Sequence, residues 1–157
     1  MDLASDLEEA GADILQTAEA ALSRAHADHY RQADPPFIAM KLGELFGVLI
    51  ECARQPSTLT MTRRIDVIAR ERFDAGFSIA EVQTAINVLE EAVWSHIVAT
   101  EAPADLARNL ALVSTILGAA KDALGQTYVT LAAKRHIPTV DLKALVDGAA
   151  TGAGNEV

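Results

Sequence analysis

The chain has one cysteine, Cys52, in 157 residues. No disulfide can close within it, which fits a reducing compartment. Cys52 falls on an apolar stripe and reads as a buried, inert thiol. Aromatic residues make up only 4% of the chain and there are five prolines. No alternating strand pattern is present, so the class is all-α. Positive charge is also scarce: 13 Lys and Arg stand against 22 Asp and Glu, a formal net charge of −9. An acidic surface repels phosphate backbones, and nucleic acid is not an expected partner. The opening residues Met1-Asp2-Leu3-Ala4-Ser5-Asp6 are acidic where a secretory signal needs positive charge. The longest uncharged apolar run, between Arg108 and Lys121, is shorter than the roughly 18 residues of a membrane span. The expected location is cytoplasmic, with no membrane partner.

Signatures of chemistry are missing as well. There is no phosphate-binding glycine loop, nucleophile elbow or cysteine-rich metal pattern. The Glu-x-x-His pair of di-iron bundles is absent. His26 and His29 are three apart, but zinc would need further ligands from elsewhere. His96 follows Trp94 near a helix end, and a lone histidine there reads as a core-edge residue rather than a haem ligand. His136 suits the negative end of a helix dipole. The reading is a protein without catalytic activity, cofactor or metal.

Half of the residues are hydrophobic, enough for a core built mostly of Ala, Leu, Ile and Val. Apolar spacing predicts five helices. The first runs from about Leu3 to Arg31, with Leu7, Ala10, Ile14, Ala18, Ala21 and Ala25 on its stripe and Leu15 and Leu22 widening it, and stops at Asp34-Pro35-Pro36. The second covers about Phe37 to Arg54; Gly43 and Gly47 within it point to a flat face where another backbone comes close, or to simple tolerance. The third spans about Thr60 to Ala75 and the fourth continues to about Thr100. The fifth begins at Pro103 and reaches about His136. It carries Leu106, Leu110, Val113, Leu117, Ala120, Leu124 and Leu131 at heptad spacing, with Thr127 in the remaining slot. At 1.5 Å per residue it is about 50 Å long and is expected to overhang the bundle. Residues 1–137 are expected to form one domain, and 138–157 a short disordered tail.

The chain is organised around the corner between the third and fourth helices. Gly76 is placed for a left-handed C-terminal turn. Ser78 and Glu81 have capping-box spacing, and Phe77 and Val82 the spacing of a hydrophobic staple.

Two sets of residues carry candidate interactions. Arg54, Arg63, Arg64, Arg70 and Arg72 crowd one short part of an acidic chain. They read either as a docking patch for an acidic partner or anionic ligand, or as internal pairing with Asp66, Glu71, Asp74 and the acidic first helix. On the fifth helix, Ala111, Ser114, Thr115, Gly118 and Gly125 form a second face of small residues. Such a face lets another helix approach closely. A homodimer is expected through it; the rival is that the alanine-rich first helix covers it.

The run Ala69-Arg70-Glu71-Arg72-Phe73-Asp74-Ala75-Gly76-Phe77-Ser78-Ile79-Ala80-Glu81-Val82, followed by Ala85-Ile86 and Leu89-Glu90-Glu91-Ala92, resembles the N-terminal domain of RsbR-type proteins, the RsbT co-antagonists of bacterial stress signalling. The family pattern of arginine, glycine, small polar cap and acidic residue falls on Arg72, Gly76, Ser78 and Glu81, and the long last helix with Tyr128 near its end is also similar. The resemblance implies a non-haem, globin-like helical bundle that dimerises and serves as a regulatory sensor. Such domains usually precede an output domain. Here only a short tail follows His136, so a free-standing regulator acting on a protein partner, or a fragment of a larger protein, is expected. The resemblance supplies no catalytic residue. The alternative function is a carrier or sensor of a small apolar ligand in a pocket between helices.

Overall fold

The computed structural model describes residues 1–136, all of its regular structure helical. The tail expected over 138–157 lies outside the described residues. Seven helices follow in order: α1 (Leu3–Glu9), α2 (Gly11–Arg24), α3 (Asp28–Gln32), α4 (Pro35–Arg54), α5 (Leu59–Asp74), α6 (Ile79–Thr100) and α7 (Pro103–His136). α4, α5 and α6 match the expected second to fourth helices within two residues at each end, and α7 starts at Pro103 as expected and is helical to His136, the last described residue.

The expected first helix is three helices. At Ala10 the break is slight, since the Asp13 and Ile14 amides both donate back to the Ala10 carbonyl. The neighbouring Gly11 admits the Phe46 ring: a Cβ there would sit 3.1 Å from Phe46 Cε1. The second break is complete. Ala25 is extended (φ −79°, ψ 160°) and Ala27 has φ −132°, ψ 77°. Alanine favours helix, so tertiary contact decides this turn: Ala27 and Tyr30 are both buried by it.

The core is one cluster fed by all seven helices. Leu7, Leu22, Leu49, Met61, Ile65, Leu89, Ile97 and Leu117 are among its fully buried side chains. The long α7 packs against α5, α6 and α4, while α2 packs on α6 and α4, and α1 on α4. On α7 the heptad residues Val113, Leu117, Ala120 and Leu124 are buried. Leu106, Leu110 and Leu131, nearer its ends, are only partly covered, and Val129 is exposed. Gly43 and Gly47 do not mark a close backbone approach: a Cβ on either would meet no atom within 4 Å. No helix among the described residues is long and apolar enough to cross a membrane.

Candidate functional site

The α5–α6 corner is built as its local sequence requires. The Phe77 amide donates to the Arg72 carbonyl (2.9 Å) and the Gly76 amide to the Phe73 carbonyl (3.1 Å), the pair of bonds of a Schellman motif. Gly76 sits at φ +86°, the only positive φ among the described residues. Ser78 Oγ then accepts from the Glu81 amide (3.2 Å) and Glu81 Oε2 from the Ser78 amide (2.9 Å), closing both halves of the capping box.

Glu81 does more than cap its own helix. Its Oε1 accepts from the His29 amide at 2.8 Å, and the carboxylate also accepts from His29 Nδ1 at 2.9 Å. An ionised carboxylate can only accept, so Nδ1 carries the proton. Ala27, at the N-cap of α3, offers no side-chain cap; Glu81 supplies that missing acceptor from a different helix. Burial raises the Glu81 pKa, but the amides of His29 and Ser78 and the imidazole outweigh it and hold it down to about 2.

Aromatic rings close over this corner. Phe77 lies 4.7 Å from Tyr30, edge-on, and 4.9 Å from His29. Tyr128 of α7 donates its hydroxyl to the Phe77 carbonyl at 2.9 Å and stands edge-on to Phe73. Burial pushes the Tyr128 phenol up to about 12 and raises that of Tyr30, with Arg72 opposing both.

Arg72 lies at the centre. It is only 4% exposed, with its guanidinium 4.9 Å from the Phe37 ring and 5.3 Å from the Phe77 ring. Neither Nε nor Nη2 has a hydrogen-bond partner among the described residues. Arg72 also lines a cavity of about 30 Å³ between α2, α3, α4, α5 and α6. The rest of the lining is apolar, including Leu22, Leu42, Ile65 and Ile86, apart from Tyr30 and Lys41.

This takes Arg72 out of the candidate docking patch, since it lies in the core and not on the surface. Arg72 is buried because Ile65, Ala69 and Arg72 share the inward face of α5. Arg54 pairs with Glu8 of α1 at 2.7 Å and Arg70 with Asp66 at 3.2 Å, as internal pairing requires. Arg63 and Arg64 are exposed. The position of Arg72 on its helix stripe was the signal that could have separated it from the others. Tyr30 and the second role of Glu81 had no comparable signal.

The remaining candidates are plainly placed. His26 is exposed and His96 Nε2 meets Asp6 Oδ2 at 2.7 Å. Among the described residues no three His, Cys, Asp or Glu side chains are grouped to hold a metal ion. Ala111 and Thr115 are exposed, and Ser114, Gly118 and Gly125 half-exposed. A Cβ on Gly118 or Gly125 would meet no atom within 4 Å. Among the described residues no other helix reaches these two positions, and the alanine-rich α2 packs on α6 and α4 instead.

The corner, the capping box and the long last helix are the features that carried the family resemblance, and they occur together here. The sequence matches the RsbT co-antagonist protein rsbRD N-terminal domain over residues 12–136. The chain belongs to this family. No curated protein and no solved structure matches it. Membership of the RsbRD N-terminal family indicates a regulatory role in stress signalling. The matched region takes in every residue of the corner, including Arg72, Glu81 and Tyr128.

Proposed function

We propose that this RsbRD N-terminal domain is a cytoplasmic sensor-type regulatory module, without catalytic activity, that works as a homodimer and contacts a regulatory protein partner. The observation that supports the dimer is a composite face on α6 and α7. The ion pair between Lys121 and Glu90 sets the antiparallel register of these helices. Trp94 and Gly118 each lie about one turn from that pair, and Val98 and Ser114 about two turns from it, so each couple falls at a similar height along the two helices. Trp94 is 42% and Val98 60% exposed, beside small residues that leave room for a second helix. Residues 109–120 carry no charge, which limits like-charge repulsion where two acidic copies meet along this stretch of α7. A two-fold axis would pair this face with itself.

Sedimentation equilibrium of the purified chain at tens of micromolar tests the reading. A dimer mass is expected, and a monomer mass would refute the assembly. The second reading, a carrier or sensor of a small apolar ligand held between helices, is favoured by the largely apolar cavity beside Arg72.

A further inference from the structure

A guanidinium removed from water needs an anion or a full set of acceptors, because arginine cannot shed its charge at any accessible pH. Arg72 has neither at Nε and Nη2. Its two ring neighbours, Phe37 and Phe77, stabilise the cation through their faces but accept no conventional hydrogen bond. Glu81 spends its carboxylate on His29 and Ser78. The Tyr128 hydroxyl donates to a carbonyl, and although Arg72 is near enough to Tyr30 to lower its phenol pKa, neither hydroxyl accepts from Nε or Nη2. Arg72, which carries these unpaired donors, lines the same small, largely apolar cavity as Lys41. Both cations flank the Phe37 ring, Lys41 Nζ at 5.8 Å and the Arg72 guanidinium at 4.9 Å. Lys41 is held only loosely by acids, at 3.5 Å from Glu44 and 3.7 Å from Glu71.

From this we infer that the cavity is a binding site for a short aliphatic monocarboxylate, its carboxylate taken by Arg72 with Lys41 beside it and its tail lying among Leu42, Ile65, Val82 and Ile86. The inference deepens the second reading above and rests on the cavity being a ligand site. Nε and one Nη of a guanidinium form a fork that matches the two oxygens of a carboxylate. Apart from Arg72, Lys41 and Tyr30 the lining is apolar, which favours a single acidic head on a plain hydrocarbon tail. At about 30 Å³ the cavity has room for one or two waters. It therefore takes the head as it stands, and a tail must part the side chains around it. Ligand binding is thereby coupled to the packing of α4 against α5 and α6, next to the doubly capped corner.

The test is calorimetric titration of the purified chain with sodium butyrate and sodium hexanoate, and, at matched ionic strength, with sodium chloride and hexanol. Hexanoate should bind more tightly than butyrate, and chloride and hexanol should bind far more weakly. Arg72→Met should weaken hexanoate by about thirtyfold or more, the loss expected when a buried charge partner is removed. Ala85→Leu, which fills the cavity while leaving Arg72 intact, should also abolish binding; it guards against an Arg72 variant that fails to fold. Hexanol binding as tightly as hexanoate would overturn the carboxylate assignment while leaving an apolar-ligand site standing. Equal binding of chloride would overturn the tail. Absence of binding by all four would overturn both this inference and the ligand-sensor reading, whatever the sedimentation mass.

Discussion

Glu81 accepts from both the backbone amide and the imidazole Nδ1 of His29, at 2.8 and 2.9 Å, across 52 residues of sequence. One carboxylate thus caps the start of α6 by a local box and the start of α3 by a tertiary contact. The helix that carries Tyr30 into the aromatic cluster depends on an acid that lies at the far side of α4 and α5 in the chain.

Glu81→Ala should therefore cost more than the loss of an ordinary cap. It leaves the His29 and Ser78 amides without their acceptor, and a loss of about 3 kcal/mol is expected. Ser78→Ala removes one hydrogen bond of the box and should cost about 1 kcal/mol. Urea melts of the two variants measure the difference; equal losses would show that the contact to α3 contributes nothing.

The same carboxylate gives a pH dependence of definite sign. Its pKa is held at about 2 in the folded chain, against 4.5 ordinarily. A depressed carboxylate stabilises the fold above its unfolded pKa. That contribution should be complete above about pH 4.5 and fade as the pH falls toward 2. Glu81→Gln should flatten the urea midpoint against pH across this window, and an unchanged slope would remove Glu81 as the cause.

At Gly76 the penalty for a side chain lies in the backbone. An added Cβ would meet only His29 Nε2, at an ordinary 3.7 Å, but φ is +86°. Gly76→Val should lose about 2 kcal/mol or more, since a β-branched residue resists that region. A urea melt showing no loss would place the strain elsewhere.

Arg72→Met should raise the stability of the ligand-free chain. Replacing a buried, unpaired cation by an apolar side chain of similar length removes its desolvation penalty, and a gain of about 1 kcal/mol is expected. A large loss in thermal or urea unfolding would mean that the stacking on Phe37 and Phe77 dominates.

Gly118→Leu tests the dimer at one position. The site is open within the chain, so helical circular dichroism should be unchanged. Sedimentation should show a dissociation constant raised by at least about tenfold, as expected when a bulky side chain breaks a close helix contact. Unaltered self-association would remove this face from the interface.

The corner was legible in sequence because each of its signals acts over a few residues. The turn bonds around Gly76 and the two capping-box bonds of Ser78 and Glu81 join residues no more than five positions apart, so propensity and spacing are sufficient for them. The start of α7 at Pro103 and its buried stripe were legible for the same reason. The arginine cluster misled because nearness in sequence is not nearness on a surface. Arg72 and Arg70 are two residues apart, yet one faces the core and the other water. A rotation of 200° on a helix separates them.

The sequence by itself determined that this chain is helical, where α4, α5 and α6 begin and end, where α7 begins, and how α5 turns into α6. Those outcomes rest on backbone hydrogen bonds and caps whose two halves lie within one or two turns. Only the tertiary structure decided that the first helical stretch opens at Ala25–Ala27, that Glu81 caps α3, and that Arg72 is enclosed by Phe37 and Phe77 without an acceptor for Nε and Nη2. In each case the stabilising contact joins residues of different helices. Its free energy exceeds a local helix preference of a few tenths of a kcal/mol per residue only once the packed core has brought those residues together.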